Sequence, residues 1–317
     1  MVRPWLRTLV AGPLIVACWA CGGSSPSPQG PTPVSPTSTS GNGLASTLVF
    51  TESPIDPAAI EFVVPLGNLN PPGHTLPTDH VYLYHRLRNP SAPTYDVKAP
   101  AGGIVRDARR GNDDVIRVQV TASQTYYLGH VHLDASIHDG MSVAAGQKVG
   151  TTSTLSYGLD IGLEDLAVTR FFVNPARYGE GTIHAESALK YFEEPLRSTL
   201  YSKVDRVGGD KDGKIDFDSP GHLAGNWFLE GLPVSESSIF GAGSKQLAFV
   251  RDVNDPSAVR VSLGGALGVT GVFAVQSSAP DPSIVTTSTG AMMYRLSISR
   301  DRRRRRRSWC NWSPTTD

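Results

Sequence analysis

Cysteine is nearly absent from this chain. Its 317 residues include three, Cys18, Cys21 and Cys310. The long body between Cys21 and Cys310 therefore has no disulfide of its own and must be held by a packed core, with or without a metal. Charge is also sparse, at 18% of residues, and the formal total is zero. That balance conceals a split, because Arg302 to Arg307 form one basic run and leave the rest of the chain about six charges acidic. Nothing in the body reads as a nucleic-acid surface. G-x-S-x-G, P-loop and dinucleotide signatures are missing, which removes the common hydrolase and nucleotide-binding motifs. No clean internal repeat is found.

Turn-forming residues, by contrast, are plentiful: 32 Gly and 24 Pro, beside 39% hydrophobic residues. This composition predicts β structure with many loops. The start of the chain has Arg3 and Arg7 followed by the apolar run Leu9–Ala17, too short to span a bilayer as a helix and of the form of an export signal. "IVAC", ending at Cys18, resembles the bacterial lipobox, and "GGSSPSP" after Cys21 resembles the start of a lipoprotein. Either Cys18 or Cys21 is the expected lipidation site, an anchor to a membrane surface.

Composition divides the chain into segments. Residues 1–21 are the expected lipoprotein signal. Residues 22–44, rich in Pro, Ser and Thr, form an expected disordered linker. Residues 45–200 alternate short strands with turns, as in "VIRVQV" and "TYYLGHVHL", and hold one expected helix, His184–Glu194, ended by Pro195. Residues 201–298 contain short strands at about ten-residue spacing, the pattern of a small β-sandwich or barrel. Residues 299–317 are a basic tail, expected to be disordered. The fold class is all-β, with two β-rich domains.

Candidate functional residues centre on histidine. "GHTLPTDHVYLYH" places His74, Asp79, His80 and His85 in one short stretch, and "HVH" places His130 and His132 two apart, a spacing that on a regular strand shares one face. His85 and His138 stand beside charged residues and are expected to be solvated. "GGDKDGKIDFD", Gly208 to Asp218, partly fits an EF-hand loop but lacks the acidic residues at positions 1 and 12.

The run from "YDVKAPAGGIV" through "LGHVHLDASIHDGMSVAAGQKVGTT" and "YGLDIGLED" to "FVNPARY" resembles the lysostaphin/LytM-type zinc endopeptidases of peptidoglycan. The likeness covers about a third of the chain and rests on Pro100, Gly103 and Val105, His132 and Leu133, Gly140, Gly146, Gln147 and Gly150, and Val173, Asn174 and Pro175. It implies a LytM-like antiparallel β domain, with zinc held by His74, Asp79 and Asp160 and with His132, beside His130, as the catalytic imidazole. Two departures stand out. His74 and Asp79 have four residues between them where the family has three, and Gly158 occupies the family's second catalytic histidine position. A ligand set richer in oxygen also leaves less charge to acidify a bound water. The resemblance therefore implies a degenerate member, exported to the cell envelope, that binds peptidoglycan or an envelope protein. An active zinc metallopeptidase with altered ligands and a structural surface lipoprotein are the alternatives.

Overall fold

The computed structural model describes residues 43–238, 242–276 and 278–298. The expected signal segment, Cys18 and Cys21, nearly all of the linker, and the basic tail with Cys310 lie outside the described residues. Among the described residues no helix is long and apolar enough to cross a membrane.

The first sheet is built from β1 (Phe62–Val64), β2 (His80–Tyr84), β3 (Asp96–Lys98), β4 (Gly103–Arg109), β5 (Asp114–Gln119), β6 (Gln124–Leu133), β7 (Ser142–Val143), β8 (Lys148–Thr152), β9 (Gly158–Asp165) and β10 (Ala185–Glu186). Its antiparallel path runs β1-β2-β9-β6-β5-β4-β7, with β10 on β9 and with β8 joining β3 to β6. The period-two pattern of β9 explains its central place. Leu159, Ile161 and Leu163 point one way and are fully buried with Val81, Leu83, Tyr126 and Leu128 in the main core. Gly158, Asp160, Gly162 and Glu164 point the other way.

The expected strands form, but the expected helix does not. Among the described residues the α-helices are short, α1 (Glu180–Ile183) and α2 (Leu196–Ser202). The helix expected over His184–Glu194 does not form. Ala185 and Glu186 instead pair with Glu164 and Leu163 of β9, and a 3-10 turn, Ala188–Tyr191, follows. The edge of β9 satisfies the backbone of this segment, and Ala188, Leu189 and Phe192 still reach the core. Pro195 stands at the start of α2, where its missing N–H costs nothing.

A second, all-antiparallel meander follows: β11 (Gly225–Phe228), β12 (Gln246–Arg251), β13 (Val259–Gly264), β14 (Thr270–Val275) and β15 (Leu296–Ile298), in that order. One sheet stands where strand spacing alone suggested two packed layers. It belongs with the first sheet to a single compact unit. The joins are specific: Thr75 Oγ1 donates to the Gly243 carbonyl at 2.7 Å, Arg206 Nη1 donates to the Val253 carbonyl at 2.7 Å, and Val253 packs against Phe62, Val64 and Tyr82. The Asp-rich loop is no EF-hand. Its carboxylates are occupied internally: Asp210 with Arg206, Asp212 with Tyr201, Asp216 with Lys214, and Asp218 with the backbone N–H groups of Val173 and Asn226.

Two residues test this packing. Phe50 is fully buried against the rings of Tyr126, Tyr191 and Phe192, at 5.6, 6.4 and 5.0 Å. Phe50→Ala should cost about 3–5 kcal/mol in urea unfolding. His85, expected to be solvated, is only 2% exposed. Its ring meets Tyr95 edge-on at 5.5 Å and neither ring nitrogen has a hydrogen-bond partner. Burial, assisted by the Arg86 charge, pushes its pKa down to about 4. The unfolded chain thus binds this proton more readily than the folded one. The stability His85 confers is complete above its ordinary pKa of 6.5 and is lost as the pH falls toward about 4. Calorimetric melting should show a smaller loss over that window in His85→Leu than in the parent chain.

Candidate functional site

The polar face of β9 carries the histidine cluster. Asp160 pairs with Tyr82 of β2 on one side and with Gly129 of β6 on the other. His80, two residues from Tyr82, shares that face, and its Nε2 lies 3.3 Å from Asp160 Oδ2. On the opposite flank His130 Nε2 lies 3.2 Å from the same oxygen. Each imidazole is backed by a carboxylate on its other nitrogen. His80 Nδ1 bonds Asp79 Oδ1 at 3.0 Å, and His130 Nδ1 bonds Asp113 Oδ2. The result is a chain of alternating acids and imidazoles, Asp79–His80–Asp160–His130–Asp113.

His130 reaches this position through a break in β6. Gly129 and Val131 oppose the consecutive residues Val115 and Asp114 of β5, so His130 is the extra residue of a β-bulge, with φ at 62° in the left-handed region. β6 changes partner at the same point. Residues 124–129 pair with β9, whereas Val131, His132 and Leu133 pair with β8. The bulge resets the alternation, so Val131 and Leu133 are buried and His132 is exposed. "HVH" consequently does not present two imidazoles to one site. His130 enters the cluster, and His132, expected as the catalytic imidazole, lies on the solvent side beyond the fork.

Asp79 also departs from the expected role. Its Oδ1 accepts from His80 and from the Tyr127 hydroxyl at 3.3 Å, and its Oδ2 accepts from the Thr182 hydroxyl. It therefore orients His80 rather than pointing at Asp160. Tyr127 gets there by crossing Gly162, its register partner on β9; a Cβ at Gly162 would overlap the tyrosine ring. His74 sits on a turn closed by reciprocal backbone bonds with Asn70 at 2.8 Å. Its ring stands 5.5 Å from that of His80, at the end of a row formed by Phe62, Tyr84, Tyr82 and His80. His74, Asp79 and Asp160 thus do not assemble as three ligands. Among the described residues no group of three or more His, Cys, Asp or Glu side chains is placed to hold a metal ion. Gly158, on the Asp160 face, supplies no side chain.

Burial and charge act in opposite directions throughout the cluster. Burial alone would lower the pKa of His80, but the Asp160 charge and the Asp79 hydrogen bond raise it above its ordinary value. Burial likewise works against the charge on His130, and Asp160 and Asp113 overcome it, raising its pKa to about 9. Asp160 is pushed up by burial and pulled below the usual carboxylate range by His80 and His130. Asp79 behaves similarly, burial being outweighed by His80, Thr182 and His74, and ends well below that range. His74 is lowered by burial and by the neighbouring His80 charge. The carboxylates Asp79, Asp160 and Asp113 thus favour the charged form of both imidazoles, and pairing of this kind makes burial of charge tolerable.

No protein-family model matches the chain, and no curated protein matches it. Solved structures do match. Csd3 of Helicobacter pylori is 14% identical over 49% of this chain and 40% of its own, with a TM-score of 0.33. A zinc-containing peptidase from Vibrio cholerae is 16% identical over 37% of each chain, with a TM-score of 0.30. The deep-sea M23 metalloprotease pseudoalterin is 14% identical over 38% of this chain and 71% of its own, with a TM-score of 0.29. The chain spans less than half the length of the first two structures. M23 and LytM peptidases recur among the matched structures, but scores and identities at this level assign no activity.

The pairing is open to titration. Asp160→Asn removes the carboxylate common to both imidazoles. The His130 pKa should fall from about 9 toward the range of an ordinary histidine, read from imidazole proton shifts by NMR.

Proposed function

We propose that the face carrying Asp160 is a recognition groove on a peptidoglycan-peptidase-like scaffold, and that it binds a cell-wall peptide or an envelope protein without cleaving it. The observation that carries this reading is the placement of Asp160 Oδ2 between two imidazoles, 3.3 Å from His80 Nε2 and 3.2 Å from His130 Nε2. Hydrolysis of a peptide bond needs a general base that is unprotonated near neutral pH. His130 is held protonated by Asp160 and Asp113, His132 is exposed beyond the fork, and position 158 is glycine. What remains is a fixed array of charges, partly open to solvent at His130 and Asp113, suited to the ammonium and carboxylate groups of a wall peptide. The export signal and the candidate lipidation sites Cys18 and Cys21 support the same setting, an exported lipoprotein held at a membrane surface in the cell envelope.

One observation favours a second reading. His80 Nε2 and Asp160 Oδ1 are buried and make no hydrogen bond, and a divalent cation would satisfy both. On that reading His80 and Asp160 would hold zinc in place of the expected set, and the ion would supply Lewis acidity and an acidified water.

Co-sedimentation of the full chain with purified peptidoglycan sacculi, with and without added zinc, separates the two. The recognition reading expects binding that weakens about tenfold in Asp113→Ala, on loss of a charge-assisted contact, and no release of wall peptides. Stoichiometric zinc by mass spectrometry that disappears in His80→Ala, together with peptide release, would establish the metallopeptidase instead. A chain that neither sediments nor takes up zinc would be a structural surface protein.

A further inference from the structure

We propose a second binding site, for one neutral sugar ring, in a cavity of about 450 Å³ bounded by Tyr178, Asn226, Trp227 and Phe228. It lies between the segment that follows the first sheet and the edge strand β11. Its volume falls in the range of small-ligand sites. The site stands apart from the Asp160 cluster and shares none of its residues.

The walls are aromatic and fixed. Tyr178 stacks on Phe172 at 3.9 Å and meets Phe228 edge-on at 5.8 Å. Trp227 is 44% exposed, yet its indole N–H is pinned by the Leu223 carbonyl at 2.8 Å. An exposed indole held in one orientation is a platform for the C–H face of a pyranose, apolar in the middle and polar at its rim.

The polar groups define the ligand further. Asn226 Nδ2 donates to the Tyr178 hydroxyl at 3.0 Å, whereas Asn226 Oδ1 is buried and has no hydrogen-bond partner. A buried acceptor left unmet is costly, and a ligand O–H or N–H would satisfy it. The Tyr178 hydroxyl, accepting from Asn226, keeps its own proton to donate. Acceptor and donor side by side match adjacent sugar hydroxyls or an acetamido group.

The charged groups nearby are already engaged. Arg177 Nη1 donates to the Leu232 carbonyl at 3.2 Å and to the Ser237 hydroxyl at 2.7 Å, and its guanidinium lies 4.8 Å over Phe228. Asp218 accepts the backbone N–H groups of Val173 and Asn226, each at 2.9 Å. His222, also on the wall, contacts the Ser219 hydroxyl at 3.0 Å and the Pro220 carbonyl at 2.9 Å through Nδ1, and the engagement of Arg177 and Asp218 favours a neutral occupant.

Saturation-transfer NMR on the full chain, with N-acetylglucosamine and glucose as probes, tests the proposal. Transfer from protein to at least one sugar is expected, with millimolar affinity for a single ring. Asn226→Ala and Trp227→Ala should each weaken it about tenfold, the loss of roughly one good contact. Trp227 is exposed, so its variant keeps the test valid if Asn226→Ala melts early. His80→Ala and Asp113→Ala should leave sugar binding unchanged even if sacculus binding is lost, which separates this site from the recognition groove. No transfer to either sugar, equal binding by both cavity variants, or preference for phenylalanine amide would overturn the assignment.

Discussion

One strand has to satisfy three neighbours. β6 bonds β5 along one edge and divides its other edge between β9 and β8, and the division falls at His130. A regular strand cannot change partner in this way without disturbing its side-chain alternation. The bulge resolves this with a single residue in the left-handed region, a conformation that costs a non-glycine residue energy. Because the strands before and after the fork hold their registers separately, neither can slip without exposing Leu128 or Val131, both fully buried. The same residue that solves the backbone problem is swung toward Asp160.

The electrostatics depend on that geometry. Asp160 lies on the sheet floor, 7% exposed, where an unpaired carboxylate would be strongly disfavoured. His80 comes from a regular strand and His130 from a bulge, and only together do they flank it. Asp79 and Asp113 then fix which ring nitrogen faces inward, the part played by supporting carboxylates around histidine in many sites. Gly162 gives Tyr127 room to reach Asp79. Small residues on the polar face of β9 thus matter as much as charged ones.

The strands were legible because period-two patterning needs no knowledge of partners. "VIRVQV" and "GLDIGLED" alternate cleanly, and both are strands with the apolar set in the core. Asp160 was named through the family resemblance, as an expected zinc ligand, and not through its alternation. His132 was misleading because a spacing of two implies a shared face only on an unbroken strand, and the one local sign of the bulge in "LGHVHL" is the isolated Gly129. Asp113 went unnoticed in a polar turn, since its importance arises only when β5 and β6 lie side by side. The helix over His184–Glu194 failed because its sequence favours a helix locally while the vacant edge of β9 offers the backbone stronger tertiary partners. His85 has charged sequence neighbours, but it directly follows β2 and turns inward against Tyr95.

The two sheets differ in how deeply they are rooted. Among the described residues none after Ile215 enters the main core, and in β14 and β15 no residue is buried. Ile298 and Met293 are 79% and 77% exposed. Opening such a sheet uncovers little apolar surface, so its free energy of local opening is small, whereas β6 and β9 open only when the whole molecule does. Amide hydrogens should therefore exchange in a graded order along the chain, fastest in the last strands and slowest around the fork. Burial thus grades the fold, with β14 and β15 shallowest and the strands that carry the histidine cluster deepest.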